Sequence, residues 1–309
     1  MRLRTPTVTT LPSRAERRAW WQQLLAPVLV RYDRELVAAL RRPGEPVVRP
    51  SRITLTTRHG PVRALLYAPT EHRGGLPVHV HLHGGAFVMR HPRMDEFVAQ
   101  HLVDRLGIAV LLPDYHVAPQ VRWPVAHEQV HDVLLRLAED GPHWHLDPTR
   151  ISVGGFSSGG NLAAAAALLA RDTGGPRLRA LTLGVPSLDV AGTWAEKAAS
   201  LPVGARPMLG SGVLELVRST YFSDPAARRS TYGSPLLAPS VDRLPPTLVV
   251  TAEHDLLREE GERFASRLDG AGVAVHHHRV RGRDHYFLDP TNVVAELDLL
   301  AAHLRTTLA

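Results

Sequence analysis

The chain has 309 residues and a formal net charge of +6; 44% of its residues are hydrophobic and none is cysteine. The lack of cysteine excludes disulfides, cysteine-ligated zinc or iron–sulfur sites and thiol nucleophiles. The surplus of basic residues is small and the arginines are scattered along the chain, which indicates a solvated surface and argues against a nucleic-acid partner.

The first 18 residues carry basic side chains but lack the apolar core and the cleavage site of a secretory signal. No stretch of the chain approaches the roughly 18 consecutive apolar residues that a membrane-spanning helix needs. We therefore expect a cytoplasmic protein without a membrane span.

The N-terminal region shows helical spacing of apolar residues over 14–40, which predicts a pair of amphipathic helices that end at a stop signal over 41–44. Alternating β-branched residues over 52–68, broken at 59–61, predict two strands.

From residue 77 onward, predicted strands and helices alternate. The strands cover 77–82, 108–112, 151–154, 181–185, 248–251 and 273–280, and the helices cover 94–106, 123–137, 161–170, 259–268 and 293–304. This alternation is typical of an α/β fold with a mostly parallel sheet and helices on both faces. Residues 190–234 interrupt it with many small residues and one helix near 213–221, which predicts a lid.

The strongest motif is Gly155-Phe156-Ser157-Ser158-Gly159, which lies between a predicted strand and a predicted helix. A G-x-S-x-G sequence in this setting is typical of a nucleophile elbow, in which the serine is held exposed on a tight, strained turn. Glycines flank the turn because it leaves no room for side chains. We therefore predict that Ser157 is the nucleophile.

A second motif, His83-Gly84-Gly85-Ala86, follows the strand over 77–82. Its small residues allow backbone N–H groups to face the position where an ester carbonyl becomes an oxyanion. We expect Gly84, Gly85 and Ala86 to form an oxyanion hole together with the N–H of Ser158.

A serine hydroxyl needs a base, and after a nucleophile elbow the partners follow in the order acid and then histidine. Asp255 follows the strand over 248–251 and His285 follows the strand over 273–280. Both lie at strand ends, where open α/β sheets bind their ligands. We predict that Asp255 orients His285; Glu253 and Asp284 are the rival acids.

The histidines raise the question of a metal site, chiefly His254 and the run over 276–278. Alternate residues of a strand point to opposite faces, so only His276 and His278 could share an ion, and no third ligand has a suitable spacing. We expect neither a metal nor an organic cofactor. The alternating His79 and His81 are interpreted as strand-face residues.

At this point the sequence resembles the hormone-sensitive-lipase-like (bacterial type IV) carboxylesterases of the α/β-hydrolase fold. The motifs that carry this resemblance are HGGAF at 83–87, DYHVAPQVRWP at 114–124, GFSSGGNLAAA at 155–165, SPLLAP at 234–239, LPPTLVVTAEHDLLREEG at 244–261 and DHYF at 284–287.

The resemblance implies an eight-stranded core, a helical cap and hydrolysis of esters with modest acyl chains. It implies the division into 1–45 for the N-terminal cap helices, 46–189 and 235–309 for the two parts of the core, and 190–234 for the cap insertion. Homodimers are common in that family, so a homodimer is a possible assembly here.

The chain departs from the family pattern around the site. Ala86 replaces a glycine, Phe156 replaces an Asp or Thr, and Ser158 replaces an Ala. His116 and Gln120 replace the Arg and Glu of a Y-R-L-A-P-E motif.

From these motifs we predict a serine esterase that acts on short- to medium-chain acyl esters, with activity that rises from about pH 6 to 8 as His285 loses its proton. The alternatives are a biosynthetic deacetylase, acyl transferase or cyclase and, with less support, a non-enzymatic receptor for a small molecule. The expected pocket residues are Phe87, Phe156, Trp194 and Met208. Trp20 and Trp21 are further candidates.

Overall fold

The computed structural model describes residues 12–40, 47–71, 74–91 and 93–309. Its centre is a sheet of eight strands in the order β1-β2-β4-β3-β5-β6-β7-β8. The strands are β1 Ser51–Thr57, β2 Gly60–Tyr67, β3 Leu76–Leu82, β4 Ala109–Pro113, β5 Leu146–Phe156, β6 Ala180–Gly184, β7 Thr247–Ala252 and β8 Val275–Val280.

Strand pairing confirms the predicted, mostly parallel sheet. Strand β2 pairs antiparallel with β1 and with β4, whereas every other neighbouring pair is parallel. All residues of β4, β6 and β7 are buried, as expected for parallel strands with helices on both faces.

The helices of the described residues are α1 Arg14–Leu40, α2 Glu96–Leu106, α3 Val125–Asp140, α4 Ser158–Thr173, α5 Trp194–Ala198, α6 Ser211–Thr220, α7 Pro225–Arg229, α8 Arg258–Gly270 and α9 Val293–Thr307. Two short 3₁₀ turns, Gly141–Trp144 and Pro235–Leu237, complete the set.

The sheet lies between two hydrophobic clusters, one on each of its faces. One contains Val130 of α3, Leu162 of α4 and Phe264 of α8. The other contains Leu102 of α2 and Leu297 of α9. Successive residues of the central strands alternate between the two clusters, as the period of two in a strand requires.

The N-terminal region differs from the sequence prediction, because residues 14–40 form the single 27-residue helix α1 and not a pair of helices. The helix continues without interruption where the prediction placed two shorter helices. The predicted stop signal over 41–44 and the first 11 residues of the basic N-terminal segment lie outside the described residues. Helix α1 packs against α2, α6 and α9.

The predicted insertion over 190–234 contains the short helices α5 and α7 and the ten-residue helix α6, and none of its residues belongs to a strand. None of the helices that the structure describes is long and apolar enough to cross a membrane.

Candidate active site

The turn between β5 and α4 holds Ser157 in a strained backbone conformation, with φ 54° and ψ −116°. A positive φ is unusual for a residue with a side chain, and it persists where surrounding contacts fix it. Here the N–H of Ser157 donates to the oxygen of Gly184 at 2.9 Å, and the oxygen of Ser157 accepts from the N–H groups of Asn161 and Ser187 at 3.1 Å. These contacts hold the turn from both sides.

The glycines of this turn are explained by its contact with the end of β3. A Cβ atom on Gly155 or on Gly159 would collide with the backbone oxygen of Leu82. The turn can therefore approach β3 only when both positions are glycine. This contact brings the loop after β3 beside Ser157.

The loops after β7 and β8 bring Asp255 and His285 to the same edge of the sheet. The Nε2 atom of His285 lies 2.8 Å from the Oγ of Ser157. The Nδ1 atom lies 3.1 Å and 3.0 Å from the two carboxylate oxygens of Asp255. Asp255 is fully buried and His285 is 8% exposed. The three side chains form a continuous hydrogen-bonded chain.

The electrostatic surroundings of His285 favour its protonated form. Burial alone would lower the pKa of His285, but the charge of Asp255 and its hydrogen bond, with a further contribution from the charge of Asp284, raise that pKa above its ordinary value. The imidazole is therefore a stronger base than a free histidine side chain.

The rival acids occupy other positions. Glu253 accepts a hydrogen bond from the N–H of Gly282 at 2.7 Å, which lowers the pKa of its carboxyl. Asp284 accepts from the backbone N–H of His285 at 2.6 Å and from the N–H of Met208 at 2.9 Å. Asp284 thus links the loop of His285 to the 190–234 insertion, whereas Asp255 is the carboxylate on the imidazole ring.

The histidines considered as metal ligands do not form a cluster. Among the described residues, no group of three histidine or acidic side chains could hold a metal ion. Of the run over 276–278, His278 pairs with Glu296 at 3.3 Å, while His277 shares a hydrogen bond with Thr251 at 2.9 Å.

The segment Gly84–Phe87 packs against Ser157, since a Cβ on Gly84 would lie 3.4 Å from the Cβ of Ser157. Gly85, Ala86 and Phe87 have φ values of 122°, 54° and 57°. The oxygen of Gly85 accepts from the N–H groups of Val88 and Met89 at 3.0 Å and 2.9 Å, which closes a tight turn.

Three backbone N–H groups beside Ser157 are available to a ligand. Among the described residues, none accepts a hydrogen bond from the backbone N–H of Gly85, Ala86 or Ser158. Gly84 and these three residues line one cavity together with Ser157 and His285. The arrangement offers backbone donors beside the Ser157 hydroxyl, as stabilisation of an oxyanion requires.

The cavity has a volume of about 670 Å³ and lies between the sheet edge, α1 and the insertion. Of the four predicted pocket residues, Phe87, Phe156 and Met208 line it. Several further lining residues, for which sequence patterns gave no signal, reach the site from distant parts of the chain. These residues include Leu36, Asp95, Val213, Val217, Arg218 and Tyr286.

The predicted tryptophans do not line the cavity. The indole N–H of Trp194 donates to the oxygen of Leu209 at 3.2 Å, outside the lining. Helix α1 faces the cavity with Gln22 and Leu36, which lie four turns apart on one side of the helix. Trp20 and Trp21 lie on other sides of α1, 47% and 67% exposed.

Phe156, the aromatic residue before the nucleophile, packs on the face of the sheet that carries α2. Its ring lies edge-on to His81 at 4.9 Å and to Phe287 at 5.6 Å between centroids. A Cβ on Gly184 would collide with the Phe156 ring, so this ring fills the space above β6.

Gln120 and His116, which replace the charged Glu and Arg of the family motif, form hydrogen bonds with uncharged side chains. Gln120 and Gln23 of α1 exchange two amide hydrogen bonds of 2.7 Å and 2.9 Å, and the Gln23 amide also donates to the oxygens of Val88 and Ala118 at 2.9 Å. His116 lies 3.0 Å from the amide nitrogen of Gln129. The first set joins α1 to the loop before α3.

The single lysine of the chain, Lys197, is 7% exposed on α5 and lies at the cavity. It forms an ion pair with Glu260 of α8 and donates to the oxygen of Asp189 at 2.6 Å. Glu260 also accepts from the N–H groups of Leu188 and Asp189 at 2.6 Å. Burial outweighs these contacts and raises the pKa of Glu260.

Comparison with known proteins agrees with this architecture. A family model described as the alpha/beta hydrolase fold matches residues 79–289. The arylesterase of Saccharolobus solfataricus is 31% identical over 260 residues, which cover 80% of this chain and 79% of that protein. A protein of Acanthamoeba polyphaga mimivirus, named as an alpha/beta hydrolase, is 31% identical over 229 residues that cover 74% of this chain and 65% of its own length.

Among solved structures, the carboxylesterase EstE1, cloned from a metagenomic library, is similar to this chain with a TM-score of 0.83 and 28% sequence identity. The similarity covers 96% of this chain and 98% of EstE1.

Proposed function

The chain belongs to the hormone-sensitive-lipase-like carboxylesterases of the α/β-hydrolase fold, and from this membership we propose that Ser157, His285 and Asp255 hydrolyse carboxylic esters as a catalytic triad. The observation that supports this assignment most directly is the hydrogen-bonded chain from Asp255 through His285 to the Oγ of Ser157. The proposed substrates are esters with short- to medium-chain acyl groups.

In the first half of the reaction, His285 takes the proton of Ser157 while Oγ attacks the ester carbonyl. The carbonyl oxygen gains negative charge, and we assign its stabilisation to the backbone N–H groups of Gly85, Ala86 and Ser158. Asp255 holds the imidazole with Nε2 towards Ser157 and stabilises the imidazolium that forms. His285 then protonates the leaving alcohol, and an acyl group remains on Ser157.

In the second half, His285 removes a proton from water, which attacks the acyl group. The same backbone donors stabilise the second oxyanion, and the proton returns from His285 to the Oγ of Ser157 as the carboxylic acid leaves. The chemistry uses only groups of this chain, together with water and the ester.

The relatives and the solved structure described above are named hydrolases and esterases, which favours hydrolysis over acyl transfer, ring closure or ligand reception. The division into core and cap, with the cap formed by residues 1–45 and 190–234, remains a proposal. It is supported by the packing of α1 against α6. The homodimer and the cytoplasmic location remain predictions from the sequence.

A chain-length series tests the proposed substrate class. We expect kcat/KM for p-nitrophenyl esters to be highest between the acetyl and octanoyl esters and to fall by decanoyl, because the resemblance to the bacterial type IV carboxylesterases implies modest acyl chains. Activity that increases continuously to decanoyl would contradict the assignment to modest acyl chains.

A pH profile tests the role of His285. The base must be neutral to accept the Ser157 proton, and a raised pKa moves the neutral form to higher pH. We therefore expect kcat/KM for p-nitrophenyl butyrate to rise with a midpoint above about pH 6.5, the ordinary histidine value.

The variant Asp284→Asn removes one of the negative charges that raise the pKa of His285, so its midpoint should lie at lower pH. Both profiles are measured from pH 5 to 9 at constant ionic strength. Identical midpoints in the two proteins would contradict this electrostatic role for Asp284.

A further inference from the structure

The active-site cavity contains a carboxylate that the esterase reaction does not use. Most of its lining is apolar, with side chains such as Met94, Phe97 and Val213, but Asp95 also lines it. Asp95 lies directly before α2 and is 8% exposed. Burial of a carboxylate in apolar surroundings is costly unless hydrogen bonds compensate it, so its partners decide what it can bind.

One oxygen of Asp95 is fixed by the protein. Its Oδ2 lies 3.1 Å from the Nε2 of His81, a strand-face residue of β3 that is 2% exposed. The ring of Phe156 packs edge-on against His81. The carboxylate is thus connected through the His81 ring to the ring of Phe156, the residue that precedes Ser157.

The other oxygen is free to accept a hydrogen bond. Among the described residues, His81 is the sole hydrogen-bond partner of the Asp95 side chain. In the second carboxylate of the lining, Asp189, the oxygen Oδ1 accepts from the N–H groups of Ala191 and Gly192 at 2.9 Å and 3.0 Å, whereas Asp95 accepts no backbone hydrogen bond among the described residues. Asp95 therefore offers a charged acceptor at the cavity that the protein leaves half used.

Asp95 lies near the residues that follow His285, because its partner His81 packs against Phe156, whose ring lies edge-on to Phe287. Tyr286 also lines the cavity, and burial together with the negative charge of Asp95 raises the pKa of its phenol, which indicates that the two groups are close. Phe287 and Leu288 complete this side. His285 protonates the leaving alcohol, so an alcohol part that extends from His285 along this side of the cavity would meet these residues.

We propose that Asp95 is a specificity residue that accepts a hydrogen bond from a hydroxyl or ammonium group on the alcohol part of the ester. This inference rests on the proposed esterase function. A site built to bind a polar group disfavours an analogue that lacks it, because the buried acceptor then stays unpaired. The preferred substrates would be esters of diols or of amino alcohols.

Two butyrate esters of equal length test the inference: 4-hydroxybutyl butyrate and pentyl butyrate, which differ by a hydroxyl in place of a methyl group. We expect the wild-type enzyme to favour the hydroxylated ester in kcat/KM. The ratio of the two values should fall about tenfold or more in Asp95→Leu, since the charged acceptor is lost. In Asp95→Asn, which keeps a neutral acceptor, the ratio should be intermediate.

Glu96→Gln is the matched control, because Glu96 is the next residue but binds Arg93 and Tyr67 and does not line the cavity. Its ratio should equal that of the wild type. Thermal unfolding and turnover of p-nitrophenyl butyrate check that each variant is folded. Asp95→Asn keeps the inference testable if Asp95→Leu does not fold.

The possible failures can be told apart. If the wild type turns over p-nitrophenyl butyrate but the ratio is the same in wild type, Asp95→Asn and Asp95→Leu, the inference is wrong and the esterase assignment stands. If the hydroxyl preference appears only with methyl 6-hydroxyhexanoate against methyl heptanoate, the assignment to the alcohol side is wrong. If no ester is turned over, both the proposed function and the inference are wrong.

Discussion

Replacement of Ser157 by alanine is expected to lower kcat for p-nitrophenyl butyrate by roughly 10⁵-fold or more, the scale seen when a triad serine is removed. Without Oγ there is no acyl-enzyme, and His285 has no hydroxyl from which to take a proton. Residual turnover by the proposed oxyanion hole and by substrate binding should remain roughly 10³- to 10⁴-fold above the rate in water. Initial rates at saturating substrate, at pH 8, give the measurement.

A fluorophosphonate probe provides an independent readout, because it should label the wild type covalently and leave Ser157→Ala unlabelled. Ser240→Ala is the control: Ser240 is an exposed serine whose hydroxyl donates to Asp242, and its replacement should preserve both activity and labelling. If Ser157→Ala were folded and kept more than about a hundredth of the activity, the assignment of the nucleophile would be wrong.

Replacement of Lys197 by methionine is expected to lower the free energy of unfolding by about 3 kcal/mol or more. Breaking a buried ion pair on one side leaves the other charge unpaired, which typically costs roughly 3–5 kcal/mol. Glu260 would keep two backbone donors but lose the lysine, and its pKa, already raised by burial, would rise further. Urea unfolding at pH 8, followed by circular dichroism, measures the loss.

The double variant Lys197→Met with Glu260→Gln should recover part of this loss, because neither residue of the pair then carries a buried charge. Arg243→Gln is the control for an exposed pair: Arg243 lies beside Asp242 at the surface, and its replacement should change stability by less than about 1 kcal/mol. Equal losses in the single and the double variant would show that the charge of Glu260 is not the cause.

The sequence predicted the parts of the site that depend on local chain geometry. The elbow at Ser157 follows from short-range rules, because a strand, a tight turn and a helix need glycines at fixed positions. Ser157, Asp255 and His285 lie close together because the parallel sheet places the loops after its successive strands at one edge. The eight strands were predicted from alternation and apolar runs to within two residues of their observed ends, except that β5 begins at Leu146, five residues before its predicted start.

The shape of the cavity could not be predicted, because it depends on which side of each cap helix faces the core. Trp20, Trp21 and Trp194 are candidates from the sequence because they lie in the predicted cap segments, but α1 presents Gln22 and Leu36 to the cavity. The hydrogen bond between His81 and Asp95 could not be predicted either. His81 was correctly interpreted as a strand-face residue. Its partner Asp95 follows a loop without periodic pattern, so the sequence does not indicate that the two side chains meet.

The paired amides of Gln23 and Gln120 have a consequence for how experiments on this enzyme respond to conditions. Neither side chain gains or loses a proton, and a bond between two neutral amides has no net charge for dissolved ions to screen. These amide hydrogen bonds between α1 and the loop before α3 should therefore be insensitive to buffer salt and to acidity, unlike the ion pair of Arg122 with Glu16, which joins the same two segments and which salt screens. Changes in rate between pH 5 and 9 then do not report loosening of the paired amides.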